Sequence, residues 1–152
     1  MAKREFLNIG LVVLCGLGFH LVFIAFGTTQ NLVTKVMLQM GYNDFGFYQL
    51  SVIYLMFMVG SFFNTPVVEW LGPKLSMFCG AFGYMMWVFS ALFPALKTEV
   101  FPDSSFFLFQ DWFIYCIMLS CACLNGLCAS IYFVGQGKYI AMCATDQNKG
   151  RF

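Results

Sequence analysis

Four windows of the chain contain no Asp, Glu, Lys or Arg: residues 6–34, 45–68, 75–96 and 112–137. A helix that crosses a hydrocarbon core of about 30 Å at 1.5 Å per residue needs roughly 20 residues. Every window reaches that length, so the pattern predicts four transmembrane helices. Barrel strands would be about ten residues long and would alternate in polarity, which these windows do not. Composition agrees: 61% of the residues are hydrophobic and 10% are charged, against about 45–50% and about 25% in soluble domains. The expected fold is an all-α membrane protein, with residues 1–152 forming one transmembrane domain in the lipid bilayer.

The joints between the windows carry the turn chemistry. After the first comes Gly41-Tyr42-Asn43-Asp44, with a helix cap expected at Asn43 or Asp44. Between the second and third lies Glu69-Trp70-Leu71-Gly72-Pro73-Lys74. There Gly72 can take a positive φ and Pro73 presets φ for the first turn of the next helix. The third joint, 97–111, is acidic and aromatic, contains Pro102-Asp103-Ser104, and ends on Asp111, read as an interfacial cap. The apolar run after Lys3-Arg4-Glu5 continues past signal-peptide length without a small-residue cleavage box, so it is expected to remain as a span. Lys3, Arg4, Lys74, Lys138, Lys149 and Arg151 fall on one side of the expected topology and Lys35 and Lys97 on the other. The positive-inside rule then places both termini in the cytosol, or in the matrix of a mitochondrial membrane.

Helical periodicity gathers small residues into stripes. At 100° per residue, Gly16, His20, Gly27 and Asn31 fall within about 60° of one another. In the third window Ser76, Gly80, Gly83 and Ser90 share a face with Trp87, and in the fourth Ala122, Gly126 and Ala129 do so. Small residues let membrane helices approach closely, so the stripes read as contact faces. Polar residues inside the windows need partners, because hydrocarbon offers none. They are His20, Gln30, Asn31, Gln49, Asn64 and Asn125. His20 is read either as a proton-sensing group or as one end of an interhelical hydrogen bond to Asn125 or Gln49. Pro66 is expected to kink the second span, with Asn64 or Thr65 satisfying the freed carbonyls.

Chemistry is sparse. The chain has one histidine, no paired carboxylates and no phosphate-binding glycine loop, so it does not read as an enzyme and no cofactor is expected. Seven cysteines lie mostly in apolar runs, and Cys121 and Cys123 point to nearly opposite faces of a helix, so no metal site is expected. A net charge of +1 leaves no basic face for nucleic acid.

Two stretches resemble the Unc-ninety-three-like family. One is GFHLVFIAFGTTQNL at 18–32; the other is QGKYI at 136–140 with CAT at 143–145 and NKGRF at 148–152. With the four-window spacing, the resemblance covers essentially the whole chain. It implies a branch of the major facilitator superfamily, twelve spans in two six-helix halves, whose members act mostly as ion-channel regulators or trafficking partners. The superfamily's loop between spans 2 and 3 has the form Gly-x-x-x-Asp-Arg-x-Gly-Arg-Arg or Lys. With its second glycine on Gly72, Glu69 takes the acidic place and Lys74 the last basic one. Thr65, Trp70 and Pro73 stand where glycine, arginine and arginine would be.

The expected architecture is therefore the first part of a major facilitator N-terminal half, and 152 residues is expected to be a fragment or a reduced form. Two functions follow from the resemblance. In one, the chain is a regulatory, trafficking or accessory subunit of other membrane proteins. In the other, it is part of a solute transporter whose cavity is lined by His20, Gln49, Asn64 and Asn125.

Overall fold

The computed structural model describes residues 2–100 and 106–144, with side chains from residue 8 onward. Pro102-Asp103-Ser104 and the polar tail 145–152, including Lys149 and Arg151, lie outside the described residues. Helices make up almost all of the rest, and the described residues include no strand. Helix α1 (Ala2–Gln39) is followed by α2 (Phe45–Ser61), α3 (Asn64–Leu71), α4 (Pro73–Ser90), α5 (Leu92–Glu99), a single 3-10 turn at Phe107–Phe109, and α6 (Asp111–Cys143).

Three stretches are individually long and apolar enough to cross a membrane: Asn8–Gln39, Pro73–Glu99 and Asp111–Cys143. A fourth span exists when α2 and α3 are taken together, and that pair is bent by 72°. The chain is an all-α membrane protein with several spans.

Proline decides where the helices break. The Pro66 ring has no N–H and its bulk opposes the carbonyl four residues earlier, that of Phe62. The α2 ladder accordingly closes with tighter bonds, from Phe62 N–H to the Val59 carbonyl at 3.2 Å and from Phe63 N–H to the Gly60 carbonyl at 3.0 Å. The expected kink is thus a full break. Neither Asn64 nor Thr65 turns back to the freed carbonyls: Asn64 Nδ2 donates to the Ser130 carbonyl of α6 at 3.4 Å, and Thr65 Oγ1 donates to Asn64 Oδ1 at 3.4 Å. The same argument places the α4–α5 break, since Ser90 lies four residues before Pro94. Ser90 Oγ donates to the Trp87 carbonyl at 2.6 Å instead.

The turns are equally specific. Gly41 (φ 85°) and Asn43 (φ 48°) carry the chain from α1 into α2 in left-handed conformations, which glycine and asparagine tolerate. Asp44 occupies the N-cap place of α2, but its side chain makes no capping bond. Gly72 adopts φ 78° and ψ 158°, a region essentially reserved for glycine, and Pro73 opens α4 behind it. Ser76 Oγ donates to the Gly72 carbonyl at 2.7 Å and ties the corner down. Gly72→Ala is therefore expected to cost about 1–3 kcal/mol of stability, read as a lowered thermal midpoint of the reconstituted protein.

Helix α6 is the central post. It packs against α4 on one side and α2 on the other, while α1 and α3 make lighter contacts with it. Against α4 the close approaches run antiparallel, Gly80 on Tyr132 and Gly83 on Cys128. Against α2 they run parallel, Gly126 on Ile53 and Gly60 on Ser130. Helix α1 lies across this sandwich through Phe19, Phe23, Phe26, Val33 and Met37. Its rings meet aromatic partners in series: Phe19 stacks on Tyr132 at 5.3 Å, Phe26 meets Tyr84 edge to face at 5.1 Å, and Phe26 lies tilted on Trp87 at 5.4 Å.

Candidate functional site

The small-residue positions divide into two groups. A Cβ added to Gly80 would come within 2.4 Å of the Tyr132 Cβ, one on Gly83 within 2.4 Å of the Cys128 Cβ, and one on Gly126 within 2.4 Å of the Ile53 carbonyl oxygen. Ala122 and Ala129 are buried in the same core. At Gly126 the α2 backbone itself comes close, and at Gly80 and Gly83 a side chain of α6 packs directly onto the glycine, approaches that only small residues permit. On α1 the arrangement differs. A Cβ at Gly16 or Gly27 would meet nothing within 4 Å. The face that α1 turns to its neighbours is the aromatic one, because Phe19, Phe23 and Phe26 gain more buried area against Tyr84, Trp87 and Tyr132 than glycines can.

The intramembrane polar groups do not share one space. Gln49 is fully buried; its Oε1 accepts from Trp87 Nε1 at 3.2 Å and its Nε2 lies 3.8 Å from the Met118 sulfur, to which it donates. Asn64 is buried against Ser130. Asn125 is also fully buried, and neither its Nδ2 nor its Oδ1 has a hydrogen-bond partner. Their positions on α6 run from Met118 through Asn125 to Ser130, about 18 Å at 1.5 Å per residue. His20 and Asn31 are exposed on α1. The interhelical bond expected from His20 to Asn125 or Gln49 is not made, since Trp87 and Met118 take up Gln49 and Asn125 stands without a partner. Gln30, also on α1, pairs with the Tyr54 hydroxyl of α2 at 3.0 Å.

At the corner between α3 and α4, Glu69 and Lys74 are both exposed and Trp70 projects outward at 85% exposure. The ion pair among the described residues is at the other end of the bundle, between Lys97 Nζ and Asp111 Oδ1 at 2.5 Å. It joins the last turn of α5 to the first turn of α6, and it was hidden in the sequence because the two residues read separately as a loop cation and a cap. Buried Tyr42 sits beside it. Burial, then the Asp111 carboxylate, pushes the Tyr42 phenol well above its ordinary value and keeps it neutral. Tyr42, Lys97, Asp111 and Tyr115 line a cleft of about 550 Å³ at that end. Asp111 is 63% exposed, so Asp111→Asn is expected to lower stability by less than about 1 kcal/mol, checked by the thermal midpoint at low and high salt.

The described cysteines are all free thiols, and the described His, Cys, Asp and Glu side chains form no group of three able to hold a metal ion.

Comparison with known proteins supplies the lineage. Residues 40–152 match the family model described as ion channel regulatory protein UNC-93. The chain is 32% identical over 133 residues to UNC93-like protein 3 of Arabidopsis thaliana, covering 88% of the chain and 24% of that relative. It is 23% identical over 152 residues to UNC93-like protein MFSD11 of Xenopus tropicalis, covering 98% of the chain and 29% of the relative. The MFSD11 protein of Xenopus laevis gives 24% identity over the same length. No solved structure matches. The chain thus spans 24–29% of the length of these relatives, and its helical bundle corresponds to one part of a larger protein in each. The family match covers most of the residues that build the α2–α6 core, and on that footing the chain belongs to the UNC-93 family of membrane proteins.

Proposed function

We propose that this chain is a non-catalytic membrane protein that regulates or positions other membrane proteins, binding them through the outward face of α1. The observation that carries the reading is the exposure of His20 and Asn31 on that helix. Polar side chains at membrane depth are costly in hydrocarbon and face protein or water instead. Leu14, Leu17, Leu21 and Ile24 flank them and are also exposed, so α1 offers an apolar surface with polar anchor points. The description of the matching family, ion channel regulatory protein, supports channels as the class of partner. With relatives three to four times longer, further spans of one polypeptide are a second means of covering this face.

The test places a photo-crosslinking residue at Leu21 or Ile24 in the native membrane. Adducts to a separate membrane protein, lost in a His20→Phe, Asn31→Leu double variant, are the expected result. Adducts to lipid alone would defeat the proposal. The transport reading requires His20, Gln49, Asn64 and Asn125 to line one cavity, whereas these groups are strung along the bundle as described above. A purified protein that carries solute into proteoliposomes would restore it.

Sidedness belongs to the same proposal. Lys74 and Lys138, with Lys3 and Arg4, put the α3–α4 corner on the cytosolic or matrix side. Protease protection is expected to shield the 101–105 loop from the compartment that cleaves at both termini; cleavage of all three from one side would reverse the assignment.

A further inference from the structure

Helices α1 and α4 meet through the rings of Phe23 and Phe26 against Tyr84 and Trp87, and beside those rings a furrow stays open. One cavity of about 310 Å³ lies between Leu14, Cys15 and Gly18 of α1 and Met77 of α4, with Lys74 and Tyr139 also lining it. A second, of about 240 Å³, lies between Val22 and Ala25 of α1 and Ala81, Met85 and Val88 of α4. On each helix the second follows the first by a single turn, Gly18 to Val22 and Met77 to Ala81, so the two are collinear. From Lys74 to Met85 the rise is about 16 Å, close to one leaflet of a core about 30 Å thick.

Lining and charge define the occupant. The furrow walls are apolar along the membrane, and the cation that lines it among the described residues, Lys74, stands at the end where α4 begins. A lysine stem packed on apolar surface with its ammonium at the interface, beside an amphipathic tyrosine, is suited to a phosphate headgroup.

We propose that this furrow binds one anionic phospholipid, its phosphate held by the Lys74 ammonium and the Tyr139 hydroxyl and one acyl chain laid between α1 and α4 up to Met85. The inference is independent of the α1 docking anchors: His20 and Asn31 do not line the furrow, and Leu14 borders both surfaces.

Native mass spectrometry of the intact protein released from mixed phosphatidylcholine–phosphatidylglycerol nanodiscs tests it. One retained phosphatidylglycerol is expected. Lys74→Glu is expected to lower its occupancy at least about fivefold, and Lys74→Arg to keep it. Gly18→Leu adds its bulk where a Cβ meets nothing within 4 Å; it is expected to displace the lipid while leaving the thermal midpoint of lipid-free protein in place. Equal retention of phosphatidylcholine, or undiminished phosphatidylglycerol on Gly18→Leu, would overturn the proposal. So would a photo-crosslinker at Ala25 that captures a protein segment in place of lipid.

Discussion

Gly126→Ala is expected to destabilise the protein by about 2–3 kcal/mol, the upper part of the range for overpacking, while the same change at Gly27 leaves it unchanged or adds up to about 1 kcal/mol. The chemistry of the two substitutions is identical, and alanine is the better helix former at both by about 1 kcal/mol. Surroundings separate them. At Gly126 the new methyl would sit 2.4 Å from the Ile53 carbonyl oxygen, 2.8 Å from the Met56 Cβ and 3.0 Å from the Phe57 backbone nitrogen. Two of those three atoms belong to the α2 backbone, so no side-chain rotation relieves the clash and α2 must move off α6. At Gly27 the methyl would meet nothing within 4 Å. Reversible unfolding of the two variants in the same bicelle or nanodisc measures the difference directly. Equal effects would mean that α2 and α6 do not approach here as described.

The second large effect is a pair of opposite signs. Gln49→Met keeps the shape of the side chain but removes the acceptor 3.2 Å from Trp87 Nε1. Trp87 is only 2% exposed, so its N–H is left without a partner, at a cost of about 1–3 kcal/mol. Asn125→Leu removes two buried polar atoms that have no partner, and is expected to raise stability by about the same amount. If Asn125→Leu lowers stability instead, the larger side chain overpacks the site or a buried water supplies hydrogen bonds to that amide. Crosslinking at Leu21, repeated on the Asn125 variant, then distinguishes a local packing role from one in partner binding.

The tight glycines were legible because helical spacing alone groups Gly80 with Gly83 and Gly126 with Ala122 and Ala129. The identical argument applied to Gly16 and Gly27 points to an interface that the described helices do not form. Periodicity says which residues share a face, and it says nothing about which face a neighbour occupies. Aromatic bulk decided that on α1, where Phe19, Phe23 and Phe26 outweigh the glycine stripe in area. Pro66 shows the same limit in another form. Its lost N–H and the clash at Phe62 were readable as a kink, but the size of the bend and the use of Asn64 on Ser130 depended on α6 lying alongside. The Lys97–Asp111 pair was not legible, since its members stand fourteen positions apart in the chain and on different helices.

The sequence by itself determined that this chain is helical and lives in a membrane, because four long runs without a charged residue leave no other way to satisfy backbone and solvent together. It determined the turn at Gly72-Pro73 as well, a local matter of φ and a missing Cβ. Tertiary structure alone decided that α6 is the central post, that Gln49 is satisfied and Asn125 is not, and that α1 leaves a furrow ending at Lys74. Those outcomes depend on which surfaces meet across tens of residues, where contact area and shape rule and local spacing carries no information.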